Sequence, residues 1–288
     1  MSEAADLPTS PSSTLSVSIV VYFPDPVWLS VTLSSLVSSL SHALHAGILR
    51  SAKLCLVDNQ TTTAFSAFAL ALDVACVDND WIEKLVIVGH GNIGYGRANN
   101  LAIERCTDTD FHLVLNPDVK LAEPAIANAL RYLHQHPECA MVSPVATAPD
   151  GQPLYLAKRY PDFFTLALRG FAPQSIKRYF RQRLDAYERR ETAYDAALID
   201  VKIASGCFML IRQTALSQTK GFDPAFFLYF EDFDLSYRIA KFASIARVAD
   251  VRIVHAGGGA AKKSLQHVWL FARSAWKFHR KHGSHLKV

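Results

Sequence analysis

The first half of this chain alternates short apolar runs with amphipathic segments, and nearly every run ends in a polar cluster. SVSIVVYF (16–23), KLCLVD (53–58), KLVIVG (84–89), FHLVLN (111–116) and AMVSP (140–144) are strand candidates. Between them, 26–44, 62–74, 95–106 and 122–135 carry helical spacing. Such alternation predicts an α/β fold of βαβ units around a mostly parallel sheet buried on both faces. KLCLV runs into Asp58-Asn59, KLVIV into Gly89-His90-Gly91-Asn92, and FHLVL into Asn116-Pro117-Asp118. Ligands of open parallel sheets bind beyond the carboxyl ends of the strands. One Asp-Asn turn is ordinary, but three such clusters on one edge predict a site.

GHGNIGYGRANN (89–100) follows a strand and opens a helix. Gly94 and Gly96 permit a tight turn, and a helix N-terminus there offers an anion site. The spacing Gly-x-x-Gly-x-Gly, placed after the third strand, is not a dinucleotide fingerprint, which disfavours a nicotinamide-dependent oxidoreductase. A plain glycine turn is the competing reading, although Arg97 and Asn99-Asn100 add polar reach that such a turn does not need. Asp118 sits in LNPDV (115–119), at a strand end where a proline stiffens the turn. Hard cations use one or two carboxylates together with substrate phosphates, but Asn-Pro-Asp is also a common turn. His255, ahead of Gly257-Gly258-Gly259, either completes such a site or is structural.

The second half is less regular. It holds a strand at 206–212, short strands near 245–255, a helix from about 264, and FFLYFEDFDLSYR (226–238). Glu231, Asp232 and Asp234 follow an aromatic run, where carboxylates need partners or neutralisation. Acidic residues also favour a helix's first turn, and Asp234 sits four before Arg238, as in an exposed ion pair. Adjacent helical residues diverge by about 100°, so the three carboxylates cannot share one cleft.

A length of 288 residues supports one large domain or two small ones. Five cysteines, odd in number and without Cys-x-x-Cys spacing, read as buried thiols in a reducing compartment rather than disulfides or a zinc site. Residues 1–14 are polar and acidic and do not read as a signal peptide, and no uninterrupted apolar run approaches a membrane span. A cytoplasmic protein is expected. The net charge of +4 hides an asymmetry: beyond Asp250 there is no acid and there are eight Lys or Arg. Lys158 to Arg190 holds nine more against Asp162, Asp185 and Glu188. Such tracts suit nucleic acid, anionic headgroups, a diphosphate or a plain solvated helix face. Trp269, Arg273, Trp276 and Arg280 make an aromatic-basic stripe at helical spacing, as on an interfacial helix.

Taken in order, VSIVVYF, LVDN, GNIGYGRANN, LNPDV, SGCFMLIR, GFDPAFFLYFEDFDLSYR and HAGGG resemble the family 2 inverting glycosyltransferases of GT-A fold. Among these the chain is most similar to bacterial rhamnosyltransferases that use dTDP-L-rhamnose, over residues 15 to 282. The resemblance implies a Rossmann-like central sheet, with 15–145 binding the nucleotide-sugar and 146–262 completing the acceptor and catalytic half of the same domain. Residues 1–14 would be a flexible tail and 263–288 a basic amphipathic helix. Val20, Tyr22 and Asp58 would frame the base, and Asn92, Gly94, Tyr95, Arg97 and Asn100 would line the donor pocket. Asp118 matches the last position of the Asp-x-Asp metal motif, whose first position is Asn116 here. His255 matches a histidine that approaches metal and diphosphate, and Mg²⁺ or Mn²⁺ is the implied cofactor. Asp232 would be the general base, with Glu231 beside it. The implied acceptor is a saccharide or a polyprenyl-diphosphate-linked saccharide at an anionic membrane surface, in cell-surface polysaccharide synthesis. Nucleic acid is not an implied partner. A UDP-sugar transferase moving glucose, galactose or galactofuranose, and a non-catalytic nucleotide-sugar or polyanion-binding module, are the alternatives.

Overall fold

Strands β1 (Ser13–Val21), β2 (Leu49–Asp58), β3 (Ile82–Ile87) and β4 (Phe111–Leu115) pair in parallel, with β1 between β2 and β4. The computed structural model describes residues 12–60, 65–162, 164–166, 168, 172–257 and 265–283. Register sets Val21 against Asp58, Val57 against Ile87 and Ile19 against Leu115. The three polar clusters therefore leave the sheet at one edge, as the alternation predicts. β1 starts at Ser13, so the expected tail boundary at residue 14 falls inside a strand; residues 1–11 lie outside the described residues.

Helices α1 (Pro26–His45), α2 (Phe65–Ala75) and α3 (Tyr95–Arg105) make the crossovers. Asp25 caps α1, its Oδ1 accepting from Val27 N at 2.9 Å and Trp28 N at 3.2 Å, and Pro26 takes the first helical position. By length and composition α1 is apolar enough to cross a bilayer, yet its Leu29, Leu33, Leu36 and Leu40 stripe lies in the main core.

The remaining elements are β5 (Val119–Leu121), α4 (Ala125–Gln135), β6 (Cys139–Thr147), β7 (Pro153–Leu154), α5 (Gln174–Tyr179), α6 (Arg181–Tyr187), β8 (Phe208–Arg212), α7 (Gln213–Thr219), α8 (Glu231–Ile239), β9 (Ser244–His255) and α9 (Leu265–His282). One sheet runs β3-β2-β1-β4-β8-β6-β9-β5, with β7 on β6. β8 enters antiparallel to both β4 and β6, a direction that strand periodicity does not encode. Its reversal sets the residues before β8 beside the end of β4, where Asn116 N donates to Cys207 O at 2.9 Å. That placement builds the site.

A buried polar chain fixes α3 on the sheet. His112 lies between Ser16 Oγ (2.7 Å) and Ser18 Oγ (2.9 Å), and Ser18 donates to Asn99 Oδ1 at 2.6 Å. Asn99 Nδ2 in turn donates to Tyr95 O at 3.0 Å. Burial pushes the His112 imidazole down to about 3, so it stays neutral at physiological pH. All five cysteines are buried and free, as expected.

Candidate active site

The loop after β3 is held by asparagines. Asn59 Nδ2 donates to Asn92 Oδ1, Asn59 Oδ1 accepts from Ile93 N, and Asn92 Oδ1 accepts from Gly94 N, each at 3.1 Å. Gly94 has φ +91°, and a Cβ there would collide with the Phe227 carbonyl, so this position needs glycine. The same carbonyl accepts from Tyr95 N at 3.0 Å. The first N–H of α3 is thus spent on the segment that leads into α8, which narrows the expected anion site.

Two of the expected donor-pocket residues bond the main chain before α8. Asn100 Nδ2 donates to Phe222 O and its Oδ1 accepts from Phe222 N, both at 2.8 Å. Arg97 Nε donates to Pro224 O at 2.8 Å. Both clamp the 221–224 backbone onto α3, because their polar groups meet unpaired main-chain groups there. Val20 packs its side chain with Cys55, Val57, Ile87, Ala98 and Ala102. Tyr22 is exposed at the strand end beside exposed Phe23, at 4.8 Å between ring centroids. Asp58 is buried, its Oδ1 accepting from Gln60 N at 3.0 Å in an Asx turn.

The start of α8 is strained. Tyr229 and Phe230 have φ +66° and +67°, a left-handed pair that aromatic residues rarely adopt. Phe226, Phe230 and Phe233 are buried in a cluster with Tyr237 and Phe278, so most of the aromatic run is core. The strained turn delivers Glu231 and Asp232 into the first turn of the helix. Asp232, half-buried, accepts from Gly206 N at 3.0 Å through Oδ2 and from Phe233 N at 2.9 Å through Oδ1. Burial raises its carboxyl above the ordinary range, while the Gly206 N–H, the Lys158 charge and the Phe233 N–H pull the other way. Glu231 is buried, and its Oε2 has no hydrogen-bond partner among the described residues. Burial and then the neighbouring Asp232 push Glu231 up to about 8.

Asp234 points the other way. It is fully buried and meets Arg238 Nε (2.6 Å), Lys281 Nζ (2.7 Å) and His282 Nε2 (2.7 Å). Burial alone would raise its carboxyl, but His282, Arg238 and Lys281 hold it down to about 2. The expected exposed i, i+4 pair is therefore a buried hub that docks α9 onto α8.

Asp118 and His255 come together where β5 pairs with β9. Val119 is opposite His255, Ala256 N donates to Asp118 O at 3.0 Å, and Asp118 Oδ1 lies 3.3 Å from His255 Nε2. Both of those buried atoms lack a hydrogen bond among the described residues. An orphaned carboxylate oxygen facing an orphaned imidazole nitrogen fits a divalent cation that takes its other ligands from a diphosphate. Among the described residues no group of three or more His, Cys, Asp or Glu is placed to hold an ion alone. Gly258 and Gly259 lie outside the described residues.

Tyr95 joins the two halves of the site. Its hydroxyl lies 2.8 Å from both Asn116 Oδ1 and Gly206 O. Gly206 holds Asp232, and Asn116 stands two residues before Asp118. Burial, with the Glu231 charge, pushes the phenol well above its usual range, so it remains a donor.

No protein-family model matches the chain. Among solved structures it is similar to a mannosyltransferase from Pyrobaculum calidifontis in complex with GDP-Man and Mn²⁺, at TM-score 0.58 and 15% identity over 88% of this chain and 59% of that one. The chain has the GT-A glycosyltransferase fold. In sequence this GT-A chain is 29% identical, over 166 residues, to the N-acetylglucosaminyl-diphospho-decaprenol L-rhamnosyltransferase of Mycobacterium tuberculosis, covering 52% of this chain and 51% of that protein. It is 25% identical, over 164 residues, to rhamnosyltransferase WbbL of Escherichia coli K12, covering 53% and 56%. The chain thus spans about half the length of the curated relatives it matches.

Within the GT-A frame, three contributions are not marked by side-chain chemistry in the quoted motifs. Gly206, Phe227 and Lys158 act through backbone groups or a charge brought in from distant segments. Lys158 is visible in sequence only as one of nine cations in a basic tract. The Asn59 brace was signalled by its place in the Asp58-Asn59 cluster.

Proposed function

We propose that the chain is an inverting sugar transferase with Asp232 as general base, moving L-rhamnose from dTDP-L-rhamnose onto a saccharide or lipid-linked saccharide. The observation that carries this is the Tyr95 bridge. One hydroxyl ties the loop of Asn116 and Asp118 to the Gly206 carbonyl, and the Gly206 N–H holds Asp232. A donor diphosphate beside Asp118 would leave its anomeric carbon on the side of Asp232.

The chemistry is one displacement. The acceptor hydroxyl gives its proton to Asp232, its oxygen bonds to the anomeric carbon, and the bond from that carbon to the diphosphate oxygen breaks with its electron pair. One base suffices, and the anomeric centre inverts. Two hydrogen bonds favour the ionised Asp232, while burial keeps its proton affinity above that of a free aspartate. Glu231, protonated at physiological pH, offers a hydroxyl rather than a second charge. A divalent cation at Asp118 and His255, Mg²⁺ or Mn²⁺, would offset the charge of the leaving diphosphate.

The name of the Mycobacterium relative suggests a diphospholipid-linked N-acetylglucosamine as acceptor class, and we propose that the reaction takes place at the inner face of the cytoplasmic membrane. Trp269 and Trp276 support that location. They are exposed on α9, with Arg273 and Arg280 stacked over them at 5.1 and 4.7 Å, while Ala275, Phe278 and His282 bury the opposite face. We expect binding to vesicles containing anionic lipid that weakens with salt; equal sedimentation with neutral vesicles would remove the electrostatic component.

The functional test is a thermal-shift panel of dTDP-, UDP- and GDP-sugars followed by a product assay. Stabilisation by dTDP-L-rhamnose and release of dTDP on adding a prenyl-diphospho-N-acetylglucosamine are expected. Preference for a UDP-hexose would move the donor assignment. Binding without released nucleoside diphosphate would favour a non-catalytic module.

A further inference from the structure

We propose that Cys55 and Cys106 form a redox modification site: a buried dithiol that a small hydroperoxide converts into a disulfide, stapling α3 to β2.

The two sulfurs lie 3.2 Å apart, although the residues are 51 positions apart in the chain. A disulfide bond measures about 2.05 Å, so closing it asks for a shift of roughly an ångström. Cys55 is pinned in mid-strand, opposite Ser18 of β1 and Leu85 of β3. Cys106 follows the last residue of α3 with φ −122° and ψ 36°, outside the helical conformation. One partner is therefore fixed, and the other sits on a turn that can yield. Cys76, Cys139 and Cys207 are also buried and free, but none has a sulfur as hydrogen-bond partner among the described residues.

The surroundings favour a disulfide over other oxidation products. Both cysteines are 1% exposed and pack with Val20, Val57, Ile87, Ala98 and Ala102. A sulfinate or sulfonate would place an unpaired charge in that apolar pocket, whereas a disulfide carries none. Burial also excludes a bulky oxidant such as a peptide disulfide and selects one close to water in size. Lys53, on the same face of β2 as Cys55, pairs at 2.8 Å with Asp108, two residues beyond Cys106. That ion pair ties the same two segments and puts a cation near the thiols. The Cys55 hydrogen bond lowers the Cys106 thiol below its ordinary range, with Lys53 assisting against burial. Cys106 is thus the nucleophile.

Its thiolate attacks one oxygen of the hydroperoxide, the O–O bond breaks, and a sulfenic acid and an alcohol (or water) form. The Cys55 sulfur then bonds to the sulfenic sulfur, the S–O bond breaks, and the departing oxygen leaves as water with the thiol proton. Two thiols and one hydroperoxide give one disulfide, one alcohol and one water. The loop so closed, from 55 to 106, contains Asp58, Asn59, Asn92 and Tyr95. The staple therefore locks together the segments that build one edge of the candidate site. Two thiols that merely pack would not respond to peroxide in this way.

The test treats the full-length protein with hydrogen peroxide and then alkylates it under denaturing conditions. Two of the five thiols should be lost. A linked peptide bearing residues 55 and 106 should appear, two hydrogens lighter than its parts, and dithiothreitol should reverse both changes. The oxidised protein should melt about ten degrees higher, the effect of closing a loop of about fifty residues. Cys55→Ala should abolish the linked peptide and the shift, and Cys106→Ala serves where Cys55→Ala does not fold. Survival of all five thiols, cross-links through other cysteines, or sulfinate at either residue would overturn the proposal. So would a linked protein that melts no higher. No turnover is measured, so the outcome is independent of the transferase reading.

Discussion

The Tyr95 hydroxyl lies 2.8 Å from Asn116 Oδ1 and equally close to the Gly206 carbonyl, across a gap between α3, the end of β4 and the segment before β8. This side chain thus meets both the strand end of Asp118 and the mount of Asp232. Tyr95→Phe keeps the ring and leaves two acceptors without this donor. Kcat/KM should fall about tenfold, the equivalent of roughly 1.4 kcal/mol, with a modest loss of melting temperature. Wild-type turnover in that variant would mean the two halves are aligned by other contacts.

Glu231 and Asp232 are adjacent carboxyls of opposite character. Glu231 titrates at about 8 in the folded chain, against about 4.3 when unfolded. The folded state therefore keeps a proton that the unfolded state releases between those values. That stability is fully present below about pH 4 and is lost as pH rises through about 8. Glu231→Gln does not titrate, so its melting temperature should gain on wild type from pH 5 to pH 8, by several degrees. A difference that stays constant with pH would show that Glu231 is ionised when folded.

Asp234 has the reverse sign. Its folded value of about 2 lies below the unfolded one of about 3.9, so its contribution is present above about pH 4 and lost as pH falls through about 2. Asp234→Asn leaves His282 against a neutral amide and removes the shared anion of Arg238 and Lys281, which keep Thr219 O, Gly221 O and Asp223. Breaking a buried pair costs about 3–5 kcal/mol, and limited proteolysis should then release α9 before the rest of the chain. Unchanged protection of α9 would show that its apolar face alone holds it.

The pairing of Asp118 with His255 predicts metal-linked donor binding. In wild type, calorimetric affinity for the nucleotide-sugar should fall on adding EDTA and recover with Mg²⁺ or Mn²⁺. The double variant Asp118→Asn, His255→Ala should bind weakly whether or not metal is present. Metal dependence surviving in the double variant would place the cation elsewhere.

Much of this was legible in the sequence. Strand ends follow from apolar periodicity, so the convergence of Asp58, Asn92 and Asp118 on one edge needed no coordinates. The separation of Asp232 from Asp234 followed from helical geometry alone. What was hidden depends on contacts between distant segments. Asp234 finds Lys281 and His282 about fifty residues away, which turns an exposed pair into a buried hub. Arg97 and Asn100 have the chemistry of pocket residues, but the same amide and guanidinium groups serve equally well on a main chain. Val20 lies in a strand buried on both faces, where alternation does not mark which side meets a ligand. β8 reads as a strand either way up, and its reversal is what carries Gly206 to Asp232.

The proposed role of Asp232 is to take the acceptor's proton. It is tested most directly by Asp232→Asn, measuring donor affinity and product formation on one preparation. Donor binding should be retained, with turnover lower by roughly 10²–10⁴-fold. Near-normal turnover by the folded variant would contradict it.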